Sequence, residues 1–153
     1  MSMLNQAVPD FTFEATSGVN AKLSDYLGKN VVLYFYPKDN TPGCTLESIN
    51  FTKHAEEFKA LNTVIFGISR DSVKSHEGFK AKHCMPFELI TDPSETVCKL
   101  FDVIRQKSFL GRKYLGIDRS TFLIDAKGIL RQEWRGVKVI GHITKVLEAV
   151  KAL

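Results

Sequence analysis

Three cysteines, at positions 44, 84 and 98, are the strongest nucleophiles in the chain, and their surroundings differ. Cys44 lies in the string Pro37-Lys38-Asp39-Asn40-Thr41-Pro42-Gly43-Cys44-Thr45-Leu46-Glu47, between an apolar run and an amphipathic helical pattern. Thr41 suits a helix N-cap and Pro42 suits the first helical position. Cys44 then falls in the first turn, where backbone N–H groups lack partners and the helix dipole is positive. Both features favour a thiolate over a thiol, and a thiolate can attack an electrophile or be oxidised. The competing reading is a buried, inert cysteine, the commoner fate of an unpaired thiol. Helix position alone leaves both open.

The other candidates are weaker. Cys98 sits among Val97, Leu100 and Phe101 and reads as an inward-facing core residue. Cys84 lies in His83-Cys84-Met85-Pro86-Phe87, at the end of a helical pattern. No C-x-x-C or H-x-x-x-H pair exists, so no metal site is expected. The four histidines read as surface or helix-end residues, and Trp134 as a strand residue packed on a sheet.

The elements that position these residues follow from periodicity. Residues 31–36 form a continuous apolar, β-branched and aromatic run stopped by Pro37, the pattern of a strand buried on both faces. Residues 63–68 and 121–124 repeat it; a turn at 125–128 and a returning strand at 129–134 follow. Phe51, Ala55 and Phe58 keep i, i+4, i+7 helical spacing. Residues 73–83 and 94–101 read as helices, and Ile143, Val146, Leu147 and Val150 form a clear helical stripe. Strands alternating with helices predict an α/β fold, parallel in its centre and mixed overall.

Composition agrees with one globular domain over residues 1–153: hydrophobic residues are 44% and charged residues 25%. The formal charge is +4, without a run of five like charges, so no nucleic-acid partner is expected. Arg105, Lys107, Arg112 and Lys113 read as a solvated loop face. No apolar run approaches the roughly 20 residues of a membrane helix. The start lacks a secretory pattern, which predicts a cytoplasmic protein, and an odd cysteine count does not suggest a disulfide framework.

The segment Pro37-x-x-x-Thr41-x-x-Cys44 resembles the active-site motif of the peroxiredoxins, thioredoxin-fold cysteine peroxidases. Thr41-Pro42-Gly43-Cys44-Thr45 is similar to the bacterioferritin-comigratory protein (PrxQ) subfamily. Further likenesses run in order along the chain: residues 30–37, 68–72, 86–92 and 116–125, the last containing Arg119. The resemblance implies a thioredoxin-like fold, a central mixed β-sheet flanked by helices on both faces. It implies reduction of hydrogen peroxide and organic hydroperoxides, with Cys44 as peroxidatic nucleophile passing through a sulfenic acid. It also implies catalysis with no cofactor (no haem, flavin or metal), a thioredoxin or glutaredoxin-type reductant and a monomer.

An ordinary cysteine with a pKa of about 8.5 is roughly 3% ionised at pH 7, so complete ionisation raises the rate by at most about 30-fold. Enzymes reach accelerations of about 10⁶ and more. The site must therefore also stabilise charge on the departing oxygen and align the peroxide with sulfur. By resemblance, Arg119 serves the thiolate and the developing oxyanion, and Thr41 supplies a hydroxyl. Pro37 and Pro42 shape the pocket, while Gly43 and Cys44 offer backbone N–H groups. Glu47 is expected to orient Arg119. Bland alternatives stand beside these: Thr41 as an N-cap only, Arg119 as a surface partner of Asp118 or Asp125, Glu47 as an exposed first-turn carboxylate, Pro37 as a strand stop.

The resolving cysteine departs from the subfamily patterns. Members that place it five residues after the first would have it at Ile49, and those that place it on a later helix would have it at Lys80. Cys84 lies one helical turn past Lys80 and is the candidate; it is also a natural helix stop. The alternatives are a one-Cys cycle, with an external thiol attacking the sulfenic acid, and a redox-inactive holdase or binding protein of the same fold. A thioredoxin-type disulfide oxidoreductase would require the C-x-x-C pair that is absent.

Overall fold

The computed structural model describes residues 2–153. Among these residues are nine strands and five α-helices, and seven of the strands form one sheet of order β2-β1-β5-β4-β3-β8-β9. Its centre is the buried run read from sequence, β3 (Asn30–Phe35), paired in parallel with β4 (Thr63–Ser69) and antiparallel with β8 (Ser120–Ile124). β5 (Glu88–Thr91) continues the parallel part, and β9 (Leu130–Trp134) returns antiparallel to β8. β1 (Thr12–Ala15) and β2 (Asn20–Lys22) form an antiparallel edge.

Strand alternation sends successive side chains to opposite faces, and β3 fills both. Val31, Leu33 and Phe35 enter one core; Val32 and Tyr34, followed by Tyr36, enter the other. The second core is closed by α1 (Pro42–Lys53), α2 (Ala55–Ala60), α3 (Val73–Lys82) and α5 (His142–Lys151) through Phe51, Phe58, Phe79 and Val146. The first is closed by a 3₁₀ turn at Leu23–Tyr26 and α4 (Thr96–Leu100), with Leu23, Val97 and Phe101 buried. The mixed sheet with helices on both faces is the expected thioredoxin-like architecture.

Four expectations need correction. The helix through Phe51, Ala55 and Phe58 is two helices. The last turn of α1 tightens as His54 N–H donates to Phe51 O, and the chain restarts at Ala55 with both phenyl rings still in contact. The helix expected at 94–101 shortens to α4. The basic stretch is a hairpin, β6 (Ile104–Phe109) with β7 (Arg112–Ile117), lying outside the main sheet. It is exposed along most of its length, which removes the apolar alternation that would have marked it as strand. His76 and His142 are buried rather than superficial, because polar partners inside the fold accept them.

Gly67 shows how tightly the second core is filled. A Cβ there would lie 2.7 Å from Tyr34 Cζ and 2.8 Å from Leu89 Cδ2, both on fully buried side chains. Close-packed interiors resist such additions at a cost of about 1–3 kcal/mol. Gly67→Ala should therefore lower the melting temperature by roughly 2–10 °C in a thermal scan. An unchanged midpoint would mean that Tyr34 and Leu89 yield freely.

Candidate active site

The site forms where the sheet delivers the ends of two neighbouring strands. Phe35, last in β3, pairs with Ser120, first in β8. The chain leaves β3 through Pro37 and turns at Asn40, whose φ is 63°. It then enters α1 with Pro42 at its first position and Cys44 in its first turn. Pro42 has no N–H, so Gly43 and Cys44 carry the open backbone donors of that turn. Arg119 occupies the two-residue gap between β7 and β8, beside Ser120.

This juxtaposition brings together residues 75 apart in sequence. Arg119 Nη2 donates to Cys44 Sγ at 3.2 Å, and Nη1 donates to Glu47 Oε1 at 2.7 Å. Cys44 is 1% exposed. Glu47, one helical turn further along α1, shares its face and is 2% exposed. The expected exposed-carboxylate alternative for Glu47 therefore fails, as does a pairing of Arg119 with Asp118 or Asp125. Gly43 leaves room for the approach: a Cβ there would stand 3.1 Å from Arg119 Nη2, a tight contact.

Pro37 is half-buried at the strand exit and Pro42 lies exposed at the helix start. Thr41 has extended N-cap backbone, but its hydroxyl does not cap the helix; it donates to the Lys38 carbonyl at 2.8 Å. The hydroxyl thus closes the loop on itself and makes no hydrogen bond to Cys44.

The comparisons with known proteins converge on one assignment. The model of the AhpC/TSA family matches residues 4–133. Peroxiredoxin Bcp of Bacillus subtilis is 47% identical over 148 residues, spanning 97% of this chain and 94% of its own.

The chain belongs to the AhpC/TSA family of peroxiredoxins.

Solved relatives share its fold. A cysteine-to-serine variant of Xylella fastidiosa PrxQ has a TM-score of 0.94 at 39% identity, covering 99% of this chain and 97% of that one. The Xanthomonas campestris bacterioferritin comigratory protein, studied in trapped intermediate and ligand complexes for its alkyl peroxide reduction, has a TM-score of 0.89 at 45% identity, covering 93% and 90%. As a peroxiredoxin the protein is an oxidoreductase, a thiol-dependent peroxidase.

The remaining cysteines of this peroxiredoxin are unpaired. Cys98 is fully buried; burial, then hydrogen bonding and charge from Asp92, push its thiol far above the ordinary range. It is the core residue expected. Cys84 is exposed and follows α3 with a φ of 50°. Cys84 N–H donates to Ala81 O and Met85 N–H to Lys80 O, a Schellman ending with Cys84 where glycine is usual. The helix-stop role read from sequence is therefore present.

A second polar cluster was missed. Asp39, inside the Cys44 loop, is 4% exposed, and His76 on α3 is 0% exposed. Asp39 Oδ2 and His76 Nδ1 are 2.8 Å apart, Tyr36 OH donates to Asp39 Oδ1 at 2.6 Å, and Ser75 OH donates to Oδ2 at 2.8 Å. Burial raises the Asp39 carboxyl, but these hydrogen bonds and the His76 ring outweigh it and hold the group below the usual carboxylate range. Asp39, Asp71 and His76 place candidate metal-ligand atoms within 4.8 Å of one another, yet each is engaged by protein hydrogen bonds. Polar residues at uneven spacing gave no signal for this cluster.

Electrostatics single out Glu47. Burial, only partly offset by the charge and hydrogen bond of Arg119, pushes its carboxyl up to about 7, and its Oε2 is buried without a partner. The folded state therefore holds this proton more tightly than the unfolded state. Glu47's favourable contribution is complete below about pH 4.5 and is lost as pH rises through about 7. His142 opposes it: burial, then Lys145 and Arg119, press its imidazole down to about 4, so its contribution is lost as pH falls from about 6.5 toward 4. Glu47→Gln removes only the first dependence. Relative to this variant, the wild type should lose about 2–3 kcal/mol between pH 5 and pH 8, read from urea midpoints. Parallel curves would show that Glu47 does not take up a proton in this window.

Proposed function

We propose that Cys44 reduces hydrogen peroxide and organic hydroperoxides by direct attack of its thiolate on the O–O bond. Sulfur gains one oxygen and the other leaves with a proton: Cys-S⁻ + ROOH + H⁺ gives Cys-SOH + ROH. The observation that carries this reading is the Arg119 guanidinium, 3.2 Å from Sγ on one nitrogen and 2.7 Å from the Glu47 carboxyl on the other. Its planar fork, always charged, can stay on the sulfur side while facing charge that builds on the leaving oxygen.

The other residues take complementary parts. Glu47 holds Arg119 in plane. Gly43 and Cys44 N–H groups face the incoming peroxide. Thr41 donates its proton to Lys38 O and keeps lone pairs free to accept the peroxide O–H. Pro37 and Pro42 wall the pocket without adding donors. Alkyl hydroperoxides are included because the X. campestris relative was studied for that reduction.

The sulfenic acid is then reduced. Exposed Cys84 is the resolving candidate, and a thioredoxin or glutaredoxin-type thiol reduces the resulting disulfide; the one-Cys alternative has such a thiol attack Cys44 directly. We assign the protein to the cytoplasm as a monomer. Among the described residues no helix is long and apolar enough to cross a membrane.

Cys44→Ser should abolish peroxide turnover in a coupled NADPH assay, and retained turnover would overturn the reading. Arg119→Ala should slow the single-turnover peroxide step by more than roughly 30-fold, the ceiling available from ionisation alone; a smaller loss would reduce Arg119 to tuning the thiol. Intact mass after one equivalent of hydrogen peroxide separates the cycles. A loss of about 2 Da, abolished in Cys84→Ser, marks the disulfide route, and a gain of about 16 or 32 Da marks the one-Cys route.

A further inference from the structure

The loop that carries Cys44 is tied to α3, the helix that ends at Cys84, by one set of buried contacts. His76 stands between them: its Nδ1 faces Asp39 Oδ2 at 2.8 Å, and its Nε2 donates to the Ile90 carbonyl of β5 at 3.0 Å. Asp39 also uses its backbone, donating N–H to Asp71 Oδ2 at 2.9 Å, while Ser75 of α3 and Tyr36 at the end of β3 donate to its carboxyl. Loop, sheet and helix therefore meet on one carboxylate and one imidazole, neither of which hydrogen-bonds to Cys44 or Arg119.

Disulfide formation would join a buried sulfur to an exposed one. Cys44 is buried and Cys84 exposed, and both are free thiols. A disulfide brings Cα atoms within about 7 Å. To meet exposed Cys84 the sulfur of Cys44 would leave the Arg119 contact, and the segment between Tyr36 and Cys44 is the part of the chain that would carry it out.

We propose that Asp39 and His76 are positioning residues that latch the Cys44 loop onto α3, and that release of this latch limits the step in which Cys44 meets Cys84. The inference rests on the thiol peroxidase reading with Cys84 as resolving residue. In that step Cys44-SOH and Cys84-SH give the disulfide and water: the S–S bond forms, the S–O bond breaks, and the Cys84 proton leaves with the hydroxyl. While the latch is closed the sulfenic acid stays at Arg119, where a second peroxide can carry it to the sulfinic acid.

The test is Asp39→Asn, with Asp39→Leu/His76→Phe as a second variant that keeps the interior filled and leaves no lone buried charge. Leu130→Ala, on the opposite core, serves as a control of matched thermal destabilisation. Opening the latch should speed disulfide formation, read as the 2 Da loss, by roughly tenfold or more. It should lower the sulfinic fraction at excess peroxide and slow the peroxide step. In reduced protein, amide exchange of residues 38–45 should accelerate in the latch variants and not in Leu130→Ala. A latch variant that matches the control in both partition and exchange overturns the proposal. So does faster exchange with an unchanged partition, because release would not then limit the step. The exchange arm does not depend on Cys84, and Cys44→Ser turnover together with the Cys84→Ser mass measurement tests the underlying reading separately.

Discussion

The molecule depends on one guanidinium held between a sulfur and a carboxyl. Arg119 is a single cation facing two groups that can each be an anion, in a place from which water is largely excluded. Its position is fixed by sheet register, because Ser120 beside it pairs with Phe35, seven residues before Pro42 opens α1. A slip of one residue between β3 and β8 would move Arg119 by about 3.3 Å and invert the faces of the strand. The buried apolar faces of β3 and β8 therefore do more than stabilise the fold: they hold the distance between a charge and a nucleophile.

The parts legible in the sequence were those that repeat. Residues 31–36 announced a doubly buried strand by an unbroken apolar run, and Ile143, Val146, Leu147 and Val150 announced α5 by helical spacing. Cys44 stood out because Thr41 and Pro42 marked a helix start three residues earlier. Arg119 was different: nothing in the residues around it pointed to Cys44, and only the family likeness joined them. A contact across 75 residues is set by strand order, which local pattern does not encode.

What stayed hidden was polar burial. Residue type places Asp outside by default and His only part-way in, and Asp39 and His76 are buried because Tyr36, Ser75 and the Ile90 carbonyl satisfy them together. Each partner comes from a different element, so the cluster exists only once the fold does. The β6–β7 hairpin was missed for a related reason. Its side chains are largely exposed, and a strand without a buried face loses the alternation by which strands are recognised.

Cys84 holds a left-handed backbone that glycine would adopt without steric conflict. An L-residue there sits about 1 kcal/mol uphill, at a helix end that Pro86, two residues on, helps to stop from extending. The tension is stored beside the sulfur itself. Any product in which residue 84 swings into an ordinary conformation discharges it, worth about fivefold in an equilibrium. The helix terminus thus behaves as a lightly cocked spring, with the thiol mounted on its free end.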